Sequence, residues 1–207
     1  MTTKEKSKRL NQSRRTRKDL LTATARLLKE GRKPNIEEIA EEALVSRATA
    51  YRYFPNVEAL LAEAPVDGAV PDPDSLFADD SSTDPLDRIE RAEAAMHESV
   101  YKNEASLRLM LASTLALGNR VSGSGEIPVR QNRRSPLIQA ALSPVRNQLD
   151  APTHEKLCSA LALVFGTEAM IVFRDILQLD EEKARKVKSW AVRALVRAAL
   201  EESKSKA

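Results

Sequence analysis

The chain has 207 residues, with 33 Lys and Arg against 30 Asp and Glu and a formal net charge of +3. Six glycines, one cysteine and long stretches of period-3.6 apolar patterning exclude a sheet-built or disulfide-framed protein and predict an all-α one. The length suits one domain of ordinary size and a smaller second one.

The charge is unevenly spread. Residues 1–64 hold 14 basic and 9 acidic side chains, and the first 18 residues alone hold eight basic ones against one Glu. Residues 65–84 hold six Asp and no basic residue. A basic arm ahead of a helical module attracts phosphate, and equally serves as a solvated tail. The N-terminus lacks the apolar core of a secretory signal. The most apolar stretch, Leu157–Phe173, carries Gly166 and Glu168 and reads as a buried helix, not a membrane span. With Cys158 alone, no disulfide within the chain is possible. The expectation is a soluble, cytoplasmic protein.

In chain order, residues 1–12 read as a basic flexible arm. A first helix is predicted from Ser13 to Lys29, stopped at Gly31. Asn35 and Glu38 have capping-box spacing, so a second helix starts at Ile36 and runs to about Ala43. Leu44-Val45 make a short turn. Ser46 caps a third helix ending near Phe54-Pro55, and Asn56 caps a fourth. Residues 65–85, with four prolines, read as an acidic, extended linker and a domain boundary. Helices return after Pro85. One has Leu86, Ile89, Glu93, Met96 and Val100 on one face; others are predicted over 104–117, 136–148 where Pro144 can bend the helix, 153–178, and 180–204, with a loop at 118–135. The predicted domains are thus 13–64 and 86–207.

The second and third helices have helix-turn-helix spacing, with small Ala40 where helices must cross closely and Ala50 facing inward. The second helix of such a pair enters the major groove. Arg47 can reach guanine O6 and N7 bidentately, and Ala48 lets the backbone approach and touches a thymine methyl. Thr49, Tyr51, Arg52 and Tyr53 offer donors to phosphates or bases, and the helix N-termini at Asn35 and Ser46 add amides. Tyr51 and Tyr53, two apart, cannot share one face, so at least one is exposed. Phe54 reads as a core plug.

The run from Asn35 to Leu60, with the Ile-Ala pair, Val-Ser, Thr-x-Tyr-x-Tyr-Phe and Glu-Ala-Leu in register, resembles the N-terminal signature of the TetR family of transcriptional regulators over residues 14–62. The resemblance implies an N-terminal three-helix helix-turn-helix DNA-binding domain and a C-terminal helical ligand-binding and dimerisation domain. It implies a regulator, most often a repressor, that binds a palindromic operator in double-stranded DNA as a homodimer and is released by a small-molecule effector. Two residues depart from the family pattern. Leu44 stands where Gly is usual, and since leucine disfavours φ > 0 the turn must adopt a variant or tolerate strain. Val57 stands where a phosphate-contacting Lys is frequent, and Arg9, Arg14, Arg15 and Arg17 are basic residues that can compensate.

The last two predicted helices carry more apolar surface than one subunit covers. Val187, Ala191, Ala194, Leu195 and Ala198 form one stripe, with Trp190 on another face, so these helices are the expected homodimer interface. An effector pocket among the preceding helices has Met96, Tyr101, Met110, Thr114, Phe165 and Glu168 as candidate lining. Each of these equally fills a core at helical spacing. Glu168 reads either as an effector anchor or as a salt-bridge partner of Arg108 or Arg174.

His97 and His154 are the only histidines, and neither has metal-site spacing. No phosphate-binding Gly loop, nucleophile elbow or catalytic triad is present. No enzyme, cofactor, metal or membrane role is expected. The alternative is a helical protein–protein module that keeps the helix-turn-helix shape without reading DNA.

Overall fold

The computed structural model describes residues 3–118 and 132–206, with side chains from Asn11 onward except those of 116–118. Among these the protein is all-α. The helices are α1 (Thr3–Lys29), α2 (Ile36–Glu42), α3 (Arg47–Tyr53), α4 (Val57–Ala69), α5 (Pro73–Phe77), α6 (Pro85–Lys102), α7 (Glu104–Gly118), α8 (Arg134–Leu142), α9 (Ala151–Val164), α10 (Thr167–Ile171) and α11 (Glu181–Lys204). A 3-10 segment, Ser143–Gln148, follows α8, and a π-type turn, Val172–Ile176, follows α10. Most of the loop expected at 118–135 lies outside the described residues.

Two compact units result. The first joins α1–α4 with α7, and the second holds α5, α6 and α8–α11. The first unit is built on one core, in which Leu20, Leu21 and Leu27 of α1 meet Ile36, Ile39 and Ala40 of α2, Ala50 and Tyr53 of α3, Phe54, and Leu60 of α4. Each fully buried Leu or Ile here contributes about 1.5–3 kcal/mol relative to an exposed one.

Local chemistry explains the breaks between these helices. Gly31, at φ 75°, ends α1 with its amide on Leu28 O and that of Arg32 on Leu27 O. That is a Schellman closure, and Gly is its natural residue. The same closure ends α2, with Leu44 N on Glu41 O at 3.0 Å and Val45 N on Ala40 O at 2.9 Å. Here the left-handed position, φ 55°, is held by Leu44, whose side chain is 94% exposed. A left-handed L-residue costs about 1–2 kcal/mol. Leu44→Gly removes that cost and the exposed side chain, less about 0.5–1 kcal/mol of glycine backbone entropy. We expect a net gain of up to about 1 kcal/mol, read as a higher urea midpoint with an unchanged slope. A lower midpoint would show that the Leu44 side chain itself stabilises the turn.

Three expected boundaries are corrected. α1 starts at Thr3, not Ser13, because the basic arm is rich in Lys, Arg, Leu and Gln, all good helix formers. Residues 65–85 are not an extended linker: α4 runs through Pro65 to Ala69, and α5 follows. The aspartates there are caps and partners. Asp72 accepts from Ser75 N, Asp84 accepts from Leu86 N, and Asp80 pairs with Arg88 at 3.0 Å. Arg88 also donates to the Ala140 and Ala141 carbonyls at the end of α8 and lies over the Phe77 ring. The single helix expected over 153–178 is broken at Gly166, φ 99°, where the axis bends by 45°.

In the second unit α6, α8, α9 and α11 close a ring of neighbours, α6 on α8, α8 on α9, α9 on α11 and α11 on α6. Ile89, Ala92, Met96 and Val100 form the buried stripe of α6, and Val192, Val196 and Ala199 that of α11. No single helix among the described residues is long and apolar enough to cross a membrane.

Candidate nucleic-acid interface

The helix pair α2–α3 is fixed by its caps. Asn35 Oδ1 accepts from Glu38 N at 2.9 Å, and Asn35 N donates to Glu38 Oε2 at 2.8 Å. That backbone donor, and then the Arg32 guanidinium, hold the Glu38 carboxyl below its usual range. Ser46 Oγ accepts from Thr49 N at 3.1 Å and shares a 2.8 Å hydrogen bond with Thr49 Oγ1. Seven-residue α3 then turns only Ala50 and Tyr53 into the core.

What remains is an outward face. Arg47, Ala48, Tyr51 and Arg52 are exposed and Thr49 is half-buried. Positions 47, 48, 51 and 52 fall on one side of a 3.6-residue helix. Arg47 Nε lies 2.8 Å from Glu37 Oε1 on α2, and its guanidinium stands 5.5 Å from the Tyr51 ring centroid. Beside this face an open groove of about 340 Å³ is lined by Asn35, Ile36, Glu37, Tyr51, Pro55, Asn56, Val57 and Glu58. Asn56 caps α4 there, accepting from Ala59 N at 2.9 Å. The surface thus offers two guanidinium groups, a phenol and a small residue on a helix about 10 Å long, dimensions that fit a DNA major groove about 12 Å wide.

The sequence-derived contacts divide. Arg14 and Arg15 are exposed on α1, and Asn35 and Ser46 sit at their helix starts. Arg17 and Tyr53 do not belong to the outward face. Arg17 is 6% exposed, bonded to Tyr53 O and ion-paired with Glu63, and the Tyr53 ring is in the core. Period-3.6 placement decides both, since each shares a side of its helix with core residues. Phe54 is buried, and Val57 packs on the same core.

The effector candidates are divided between the two units. Met110 and Thr114 belong to the first unit, and Met96, Tyr101, Phe165 and Glu168 to the second. Met96 and Phe165 are buried core residues. Thr114 donates back to the Met110 carbonyl. Glu168 pairs with Arg134 at 2.6 Å, and Arg134 also reaches Ala162 O at 2.8 Å. The bend at Gly166 makes room for that guanidinium: a Cβ at this position would stand 2.9 Å from it. His154 and Cys158 approach to 3.7 Å, and no group of three His, Cys, Asp or Glu among the described residues could hold a metal.

Sequence reasoning missed a buried charged cluster in the second unit. Lys188 of α11 is ion-paired with Glu93 of α6 and lies 3.1 Å from His97 Nδ1, all three almost fully buried. Tyr101 stacks on His97 at 4.3 Å. Glu93 on the apolar stripe of α6 was the legible signal, because a carboxylate there demands a partner.

Residues 20–64 match the family described as bacterial regulatory proteins, tetR family. Residues 20–64 are thus a TetR-type DNA-binding domain. The match spans the core helices α1–α4 with the α2–α3 pair at its centre, so a DNA-binding regulator is the function this domain carries. Among curated proteins none matches the chain.

Proposed function

We propose that the protein is a homodimeric repressor that binds a palindromic operator through α3 and is released by a small molecule held in its second unit. The observation that carries the DNA reading is the exposed Arg47, Ala48, Tyr51, Arg52 face of α3, in a chain where aromatic residues are scarce. Arg47 reads a base, Ala48 lies against the groove floor, and Thr49, Tyr51 and Arg52 take phosphate or base edges. Arg14 and Arg15 of α1, with the capped starts at Asn35 and Ser46, add backbone contacts.

Dimerisation is supported by unpaired apolar surface on α9, the π-type turn and α11. Leu163, Ile176 and Trp190 are 78%, 69% and 70% exposed, and Leu177 and Val187 are also open. Large apolar side chains left open on neighbouring elements fit a subunit interface. Tyr101 and Glu168 remain the candidate effector contacts of the second unit, which acts in the cytoplasm by favouring one of two DNA-binding geometries.

Selection from a random pool of duplexes tests this directly. The proposed function yields a palindrome with half-sites about 34–36 Å apart, and a steep loss of affinity with salt. A single half-site would remove the dimer from the proposal. No enrichment even at low salt would remove operator reading and leave a protein–protein module.

A further inference from the structure

α3 has few contacts of its own with the rest of its unit. Of its seven residues only Ala50 and Tyr53 are buried. Its start is fixed by the α2 turn and the Ser46 cap. Its end is different: Phe54 leaves the helix in an extended conformation, φ −135° and ψ 126°, toward Pro55, which has no N–H to offer.

One side chain holds that end. Arg17 Nη1 of α1 donates to Tyr53 O, the last carbonyl of α3, at 2.9 Å. Arg17 Nη2 donates to Glu63 Oε2 of α4 at 2.5 Å, and the same guanidinium lies 4.2 Å over the Phe54 ring. Arg17 is 6% exposed and Glu63 3%. A cation at the negative end of α3, a desolvated carboxylate and an aromatic face meet in one planar group. Arg17 therefore joins α1, α4 and the C-terminus of α3 at one point. No phosphate can use it.

We propose that Arg17 and Glu63 are positioning residues for DNA reading, their clasp setting the tilt of α3 and so the place of Arg47 and Arg52 in the groove. This rests on the reading that the outward face of α3 meets base pairs. Leverage makes the clasp matter. On a helix about 10 Å long, a tilt of about 10° moves one end by about 2 Å, more than the tolerance of a base-edge hydrogen bond. Non-specific phosphate binding tolerates such a shift, because it depends on charge and not on register.

The test separates positioning from folding. Wild-type protein first selects its preferred duplex from a random pool. Affinities for that duplex and a scrambled one are then compared for wild type, Arg17→Lys and Arg17→Met/Glu63→Leu. The double variant replaces the buried pair with apolar groups, a change that often leaves stability intact or raises it. All are measured where circular dichroism shows them folded. We expect the preference for the selected duplex to fall about tenfold or more in the double variant, with scrambled-duplex affinity within about twofold of wild type. Arg17→Lys keeps a charge for Glu63 but loses the fork that serves two acceptors, and its preference falls severalfold. Folded variants with wild-type preference overturn the proposal. Should the double variant not fold, Arg17→Lys decides by the same ratio. If wild type selects no duplex, the reading of α3 fails and the clasp's role fails with it, an outcome distinct from unchanged preference.

Discussion

Lys188→Ala is expected to destabilise the second unit by about 3–5 kcal/mol, the range for removing one partner of a buried ion pair. The Lys188 ammonium is fully buried, ion-paired with Glu93 and within reach of His97 Nδ1. Burial opposes both charges. It pushes the Glu93 carboxyl up and the Lys188 ammonium down, and the attraction between them offsets only part of each shift. The pair is therefore a poor source of net stability, yet severe to break, because alanine leaves Glu93 alone in a low-dielectric site. For a chain of this size the loss corresponds to an unfolding temperature lower by roughly 10 °C. Calorimetry checks it, with Glu93→Leu/Lys188→Met as the comparison. That double change should recover most of the stability. A Lys188→Ala variant melting within a degree or two of wild type would contradict the account of the cluster.

The second large effect is a loss of stability in mild acid. His97 is fully buried, and its pKa is lowered from 6.5 to about 4, first by burial and then by the charges of Lys188 and Arg185. Lys188 of α11 donates to Nδ1, so the imidazole proton sits on Nε2, which is 3.5 Å from Glu181 Oε1. Glu93 and Tyr101 of α6 complete its surroundings. The folded state therefore resists a proton that the unfolded state accepts. The His97 contribution is complete above pH 6.5 and is lost as pH falls from 6.5 to about 4, by roughly 3 kcal/mol in all. Glu93 works the other way, since its raised carboxyl binds a proton sooner in the folded state. The measurement is thus the difference between wild type and His97→Gln. Urea midpoints at pH 7.5 and 5 should show wild type losing about 2 kcal/mol more than the variant. Equal losses would mean that His97 protonates in the folded state.

What was legible in the sequence was local. The Asn35–Glu38 capping box, the Ser46 cap, the stop at Gly31 and the unusual Leu44 turn each depend on residues within one or two turns, and the structure has them all. Helical spacing required that at least one of Tyr51 and Tyr53 be exposed, and the structure exposes Tyr51 and buries Tyr53 and Phe54. Partners distant in sequence did not follow. Arg17 looked like any arm cation until Glu63, 46 positions later, claimed it. Asp80 read as part of an extended acidic linker, though Arg88 anchors it, and prolines 73 and 85 open helices rather than preventing them. The break at Gly166 was hidden because apolar periodicity continues across it, and only a positive φ reveals it. Glu168 had a visible need for a cation, but Arg134, 34 positions earlier, was not legible as a partner because it depends on how α8 docks against α9 and α10.

The most direct test of DNA reading by α3 is to repeat duplex selection with Arg47→Ala. If Arg47 reads a guanine, affinity for the wild-type duplex falls by about 1–3 kcal/mol, and the selected sequence loses its preference at one base pair in each half-site while the others persist. If the selected sequence is unchanged and affinity falls alike for every duplex, Arg47 is only a phosphate contact, and the outward face of α3 is not what reads the bases.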